Sequence, residues 1–357
     1  MLINSKITIA LDAMGGDQGL EPNVKGAIIA ANSNPVRILL VGDQIELKKA
    51  LEKKSYPNGS LEIIHAPEFI GMDESPRESL EKKPGASILV AAQLVHEGKA
   101  DALVSAGSTG AVVLAAAKFL TRIQGIRRTA IATVYPTLNE FKNDDHLALM
   151  LDVGASVKCE AEELVQFAIM GAAYVENVRG VENPSVALLN IGEEATKGGE
   201  KMKTTYQLLK NTSHLNFSGN VEGKDILRGI VDVVVTEGFV GNIVIKTLEG
   251  AAKSLGQLTK MAWRAKIGWK LGLFFLRKGL TLLKEITDYA EYGGAPLLGF
   301  EKMVILAHGR SNGKAISNAI KVASKCVRDD VCGKIEKRIQ NFESQPLLEY
   351  QRLGKEF

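Results

Sequence analysis

The chain has 357 residues, 45% of them hydrophobic and 24% charged, with 44 Lys and Arg against 41 Asp and Glu. This is globular composition with ample material for a core, which excludes disorder, collagen and coiled coil, and a net charge of +3 is too small to imply nucleic acid. Three cysteines, Cys159, Cys326 and Cys332, form no C-x-x-C pair, so neither a zinc site nor a disulfide framework is expected. A cytoplasmic setting is the natural reading, because the first residues carry no apolar signal region and no stretch of about 18 apolar residues follows.

From the N-terminus, short β-branched runs recur, each closing in small or polar residues. They are ITIALDAMGGD from Ile7, VRILLVGD from Val36, LEIIHAP from Leu61, ALVSAGSTG from Ala102 and AIATVYP from Ala130. LALMLDVGAS from Leu147, SVALLNIGEEATKG from Ser185, DVVVTEGFVGN from Asp232 and MVILAHGRSN from Met303 follow. Most are apolar without alternation, as strands buried on both faces are. Helix-like stretches such as EPNVKGAIIAANS, SILVAAQLVHEG and ELVQFAIMGAAYVENV separate them. The alternation predicts an α/β fold with a mostly parallel sheet, forming one domain over residues 1–345 with a tail at 346–357. Polar residues gather where the apolar runs end, among them Asp12, Ser105 to Gly110, Asn190 to Lys197, Glu237 to Asn242 and His308. In open α/β sheets ligands bind outside the carboxyl ends of strands, so the chemistry is expected there.

SAGSTGA, Ser105 to Ala111, passes from a strand into a helix-like stretch. Its Gly107, Ser108, Thr109 and Gly110 make either an ordinary tight turn or a phosphate cradle of backbone N–H groups. It matches neither G-x-G-x-x-G nor G-x-x-x-x-G-K-[ST], which weakens dehydrogenase and nucleoside triphosphatase readings. In NIGEEATKG, Lys197 can hold phosphate or donate to an oxyanion, and Gly192 and Glu193 lie in the same loop, although a solvated surface is the alternative. In TEGFVGN, Gly241 sits in an exposed turn and Asn242 is either a helix N-cap or a donor aimed into a site. His308 closes MVILAHG and is either structural or a substrate contact. No G-x-S-x-G is present and no cysteine lies in these loops, so a covalent acyl-enzyme has no visible carrier.

Residues 251–287 differ in kind, with eight Lys or Arg, one acidic residue and both tryptophans, Trp263 and Trp269. At about 100° per residue, Lys266, Lys270, Arg277 and Lys284 share one helical stripe within about 40°, and apolar residues including Phe274 flank it. Such a helical protrusion suits an anionic membrane surface or a dimer contact.

ALDAMGGD, SAGSTGA, DVGAS, GEEATKG, GNVEGKDI, VVTEGFVGNIVIKTLEG, YGGAPLLG and AHGRSN, in this order, resemble the bacterial acyl-ACP:phosphate acyltransferases of phospholipid synthesis. The resemblance runs to about residue 335 and departs at Ser108 and Ser156, where that family usually has Asn. It implies a homodimeric three-layer α/β/α sandwich of the isocitrate dehydrogenase and phosphotransacetylase type, peripherally membrane-associated. It also implies transfer of an acyl group from acyl carrier protein to inorganic phosphate without a cofactor. The family's catalytic lysine and asparagine fall on Lys197 and Asn242. Asp12, Gly107, Ser108, Thr109, Gly110, Gly192, Glu193, Gly241 and His308 form the expected substrate-binding set, and Trp263, Lys266, Trp269, Lys270, Phe274, Arg277 and Lys284 the expected membrane contacts. The rivals are a nicotinamide-dependent decarboxylating dehydrogenase of related fold and a non-enzymatic adaptor for carrier protein or lipid surface.

Overall fold

The computed structural model describes residues 6–138, 146–265 and 293–343, and within 266–292 only Gly268, Trp269, Gly272, Phe275 and Leu276. The amino-terminal half alternates β1 (Ile7–Asp12), α1 (Leu20–Ser33), β2 (Val36–Gly42), α2 (Gln44–Leu51) and β3 (Leu61–His65). There follow α3 (Pro76–Lys82), α4 (Ser87–His96), β4 (Ala102–Ser105), α5 (Thr109–Phe119), β5 (Ala130–Pro136) and β6 (Leu147–Leu151). The second half carries α6 (Ala161–Tyr174), β7 (Ser185–Leu189), α7 (Gly199–Asn211), β8 (Asn216–Val221), β9 (Val233–Val235) and α8 (Gly238–Ala265). After it come β10 (Ala295–Leu298), β11 (Met303–Leu306), α9 (Gly313–Arg328) and α10 (Val331–Glu343).

The strands form one sheet of eleven in the order β3-β2-β1-β4-β11-β10-β5-β6-β9-β7-β8. Alternate residues of each strand feed two cores, as the two-residue period of a strand requires. Ile9 and Leu11 of β1 belong to a core shared with residues of α1, α6, α9 and α10, whereas Ala10 belongs to the core on the other face, shared with α4 and α5. This is the α/β/α sandwich that the uninterrupted apolar runs anticipate.

The direction of the strands is not uniform. Pairing is antiparallel at β11/β10, β10/β5 and β5/β6 and parallel elsewhere. The group β3, β2, β1, β4, β11 therefore runs opposite to β6, β9, β7, β8, but the groups are offset along the strands: Leu306 and Ser105 end level with Thr133 of β5, and Leu151 and Val235 end level with Ala132, so the two sets of carboxyl ends meet at mid-sheet. The loops in which the chemistry is expected therefore approach one another from both groups. The SAGSTGA loop leaves β4 and the GEEATKG loop leaves β7, six strand positions away, roughly 29 Å at the usual interstrand spacing.

Helix α8 starts where these carboxyl ends meet. It spans 28 residues, roughly 42 Å at 1.5 Å per residue. Val244, Ile245 and Leu248 pack on the second core, so only its first turns lie against the body. Beyond them Leu258, Met261 and Trp263 are exposed, and so are Trp269, Phe275 and Leu276 further along the chain. Lys266, Lys270, Phe274, Arg277 and Lys284, and the tail from 346, lie outside the described residues. No helix among the described residues is long and apolar enough to cross a membrane.

Candidate active site

A cleft of about 180 Å³ opens between α8 and the strands where the sheet changes direction. Thr133 and Val134 of β5 form part of its floor, and Thr109 at the start of α5 and His308 after β11 bound it on one side. Val153, just past β6, and Asn242, Ile245, Lys246 and Glu249 of α8 bound the other side. The four α8 residues recur at i, i+3, i+4 and i+7, so one helical face lines the cleft. Lys246 and Glu249 pair with each other along this face at 3.3 Å.

The first rim is built on a buried carboxylate. Asp12 ends β1 and is only 2% exposed. Its Oδ1 accepts from Ser87 Oγ at 2.6 Å and its Oδ2 from Ser105 Oγ at 2.7 Å, and Ser105 Oγ in turn accepts from Gly107 N–H at 3.0 Å. Burial pushes the Asp12 carboxyl up, against the lowering effect of both serines and of the Met14 and Gly15 backbone. Asp12 therefore holds the 105–110 loop from beneath. Gly15 must be glycine for this packing, because a Cβ there would lie 2.7 Å from both Asp12 Oδ2 and Gly107 N. Ser108 stands at the N-cap of α5 without capping it, so the first-turn amides of that helix stay open to an anion.

His308 is half-buried. Its Nδ1 accepts from Arg310 N–H at 3.1 Å, which puts the ring proton on Nε2. Burial, the largest influence, holds its pKa below the usual imidazole range, so the ring is neutral at neutral pH.

The opposite rim is built on Asp152, which is fully buried. Its Oδ1 accepts from the N–H groups of Ile131, Gly154 and Ala155, each at 3.0 Å, and its Oδ2 from Ser156 N–H at 2.7 Å. Ser156 Oγ accepts from Gly238 N–H at 3.1 Å. Its hydroxyl thus anchors the start of α8, giving Ser156 a structural place. Asn242 is the fifth residue of that helix, so the N-cap reading does not hold. Its side chain is exposed and donates from Nδ2 to the Val153 carbonyl at 3.0 Å, which leaves the second amide hydrogen free for a ligand.

Lys197, Gly192 and Glu193 do not line the cleft. Their loop leaves β7, two strand positions beyond β6 and therefore roughly 10 Å from the Val153 rim. It is tied to the α8 side through Lys201 of α7, which pairs with Glu237. Lys197 is exposed, and Glu193 pairs with Lys224 at 3.6 Å. The structure therefore gathers Thr109, His308 and Asn242 in one cleft and leaves Lys197 next to its Asn242 end. Sequence reasoning missed Lys246, Glu249 and Ser87. The helical spacing from Asn242 would have found the first two had the helix been started at Gly238.

Burial raises all three thiols. Cys159 is pushed up to about 11 and Cys332 to about 12, and Cys326 is raised as well. None supplies a thiolate for a covalent acyl-enzyme at neutral pH. Among the described residues no group of three or more His, Cys, Asp or Glu is placed to hold a metal.

A family model described as fatty acid synthesis protein matches residues 7–334. A phosphate acyltransferase of Dictyoglomus turgidum is 47% identical over 329 residues, covering 92% of this chain and 96% of the relative. One of Desulfitobacterium hafniense is 48% identical over 335 residues, covering 94% and 98%. Among solved structures, a phosphotransacetylase from Streptococcus pyogenes aligns with TM-score 0.62 at 17% identity, covering 92% of this chain and 95% of that one. The EutD phosphotransacetylase from Staphylococcus aureus aligns with TM-score 0.58 at 17% identity, covering 90% and 94%. At such low identity these structures establish the fold alone.

Proposed function

The chain belongs to the fatty acid synthesis protein family, and from that membership we infer that it is a phosphate acyltransferase. It transfers a fatty acyl group from the thioester of acyl carrier protein to inorganic phosphate, giving acyl phosphate and free carrier protein for phospholipid synthesis. The observation that carries this reading is the family match over residues 7–334, which includes every loop of the cleft. The dehydrogenase and adaptor rivals have no comparable support.

The chemistry suits the residues present. A phosphate oxygen attacks the thioester carbonyl, the C–O bond forms, and the carbonyl oxygen becomes an oxyanion. Collapse breaks the C–S bond, and the leaving thiolate takes up a proton. Phosphate is already an anionic nucleophile, so the protein need supply only position, oxyanion donors and a sheltered site. We assign phosphate to the α5 end, where Thr109 lines the cleft and the first-turn amides carry no side-chain cap. Asn242 donates to the oxyanion, and Lys197 adds positive charge from the neighbouring loop. His308, neutral with its proton on Nε2, is a further donor at the phosphate end. Gly107, Gly110 and Gly241 shape these approaches, whereas Gly192 and Glu193 belong to the Lys197 loop. Incubation with palmitoyl carrier protein, with and without phosphate, should give acyl phosphate by mass detection only when phosphate is present. Thioester loss independent of phosphate would defeat the reading.

The product has a poorly soluble tail, so we also propose that a homodimer works at an anionic membrane surface, docked through 251–287. Exposed Trp263 and Trp269 suit the headgroup zone. Each Lys or Arg held near such a surface adds on the order of 1 kcal/mol. Reversing the stripe with Lys266→Glu, Lys270→Glu, Arg277→Glu and Lys284→Glu should abolish sedimentation with anionic vesicles and leave the soluble reaction largely intact. Equal sedimentation, or conversion to an inactive monomer, would make the segment a dimer contact instead.

A further inference from the structure

Asn220 is 8% exposed on the edge strand β8, and its Oδ1 is buried with no hydrogen-bond partner among the described residues. Its Nδ2 donates to the backbone carbonyl of Glu194 at 2.9 Å, and the same carbonyl accepts from Lys197 N–H at 3.1 Å. Asn190 closes the loop from its other end: Nδ2 donates to the Lys197 carbonyl at 3.1 Å, and Oδ1 accepts from Ile191 N–H at 2.8 Å. Both backbone groups of Lys197 are therefore held in a ring whose two side-chain clamps are Asn190 and Asn220. The ring is tightly closed, since a Cβ on Gly198 would lie 2.4 Å from Asn190 Oδ1.

The strand is shaped to deliver this contact. Between Val186 and Leu188 of β7 the partner on β8 advances from Phe217 to Asn220, so β8 carries one extra residue. Gly219 takes φ +100°, a left-handed value that favours glycine. A bulge of this kind re-aims the side chain that follows it, and here that side chain is Asn220. An amide on an exposed edge strand would ordinarily face water. This one is buried with one acceptor left unmatched, a cost that packing alone would remove by using an apolar residue.

We propose that Asn220 is a positioning residue for the reaction, fixing the backbone from which Lys197 reaches the Asn242 end of the cleft. This rests on the reading of Lys197 as an electrophilic donor. The test compares Asn220→Asp and Asn220→Ala, which both lose the donor, with Asn220→Ser, which keeps one at shorter reach. It adds Lys197→Ala and the double variant Lys197→Ala/Asn220→Ala, each with melting, kcat, and KM for carrier-protein thioester and phosphate.

Loss of alignment should lower kcat of the Asp and Ala variants about 10- to 100-fold with both KM values little changed, and Ser should recover part of the loss. The double variant should be no slower than Lys197→Ala alone, because residues acting as a unit are not additive. Multiplying losses, or a folded Asn220→Ala with parental kcat, would overturn the proposal. So would unfolding of all three Asn220 variants, which would make the residue one of fold only. Parental turnover by Lys197→Ala would instead overturn the reading of Lys197 itself, leaving Asn220 no donor to position.

Discussion

Lys197→Ala is expected to melt with the parent and to turn over about 10²-fold more slowly or worse, the loss typical of removing one oxyanion donor. The two halves of this expectation have separate grounds. Lys197 is exposed and its side chain makes no hydrogen bond or ion pair among the described residues, so truncation removes nothing that the fold uses. The backbone contacts that shape its loop, to Glu194 and Asn190, survive the change. Turnover falls because charge develops on the carbonyl oxygen only as the C–O bond forms, and a cation held near that point acts on the transition state more than on bound thioester. The effect should therefore appear in kcat and in kcat/KM alike. A rate within about threefold of the parent, with unchanged melting, would take Lys197 out of the site and leave Asn242 as the donor from that side.

The architecture was legible where the signal is local. Nine apolar runs correspond to strands, and the uninterrupted runs correctly imply burial on both faces. The strands absent from that reading are β8 and β10. NFSGNV is polar and broken by the Gly219 bulge, and APLL is four residues long and follows two glycines at positive φ. Strand direction is different in kind, because it depends on which strands pair across long separations. Nothing in AIATVYP or LALML announces that β5 and β6 run antiparallel.

The same division holds for the site. Polar residues at strand ends were visible, but a carboxylate that binds ligand and one that braces a loop look alike in sequence. Asp12 braces one, with Ser87, 75 residues away, arriving to hydrogen-bond it. Asn242 read as a possible cap because the true helix start, Gly238, is anchored by Ser156, 82 residues earlier in the chain. That Thr109, His308 and Asn242 share a cleft follows from the pairing register, which brings the carboxyl ends of β4, β11 and β9 to one level beside β5, and no spacing encodes it.

Gly241→Ala should be the most damaging glycine-to-alanine change among the described residues, and Gly250→Ala on the same helix is its control. A Cβ on Gly241 would lie 2.0 Å from the Asp152 carbonyl oxygen and 3.0 Å from Thr236 Cγ2. The backbone at Asp152 is poorly able to yield, since its carboxylate collects four backbone N–H groups from the surrounding turn. The first turn of α8 must therefore lift, costing about 1–3 kcal/mol or more as overpacking does. Lifting that turn carries Asn242, the next residue, away from Val153 and out of the cleft. A misplacement of about 1 Å is enough to lower turnover on the order of 10²-fold. At Gly250 an added Cβ meets nothing within 4 Å, so the intrinsic preference of a helix for alanine should raise stability by about 0.5–1 kcal/mol with activity kept. One methyl group is thus expected to act with opposite sign at two glycines nine residues apart. Paired thermal melts and turnover measurements read both signs, and a Gly241→Ala protein that melts and turns over like the parent would show that α8 does not seat on the Asp152 turn this closely.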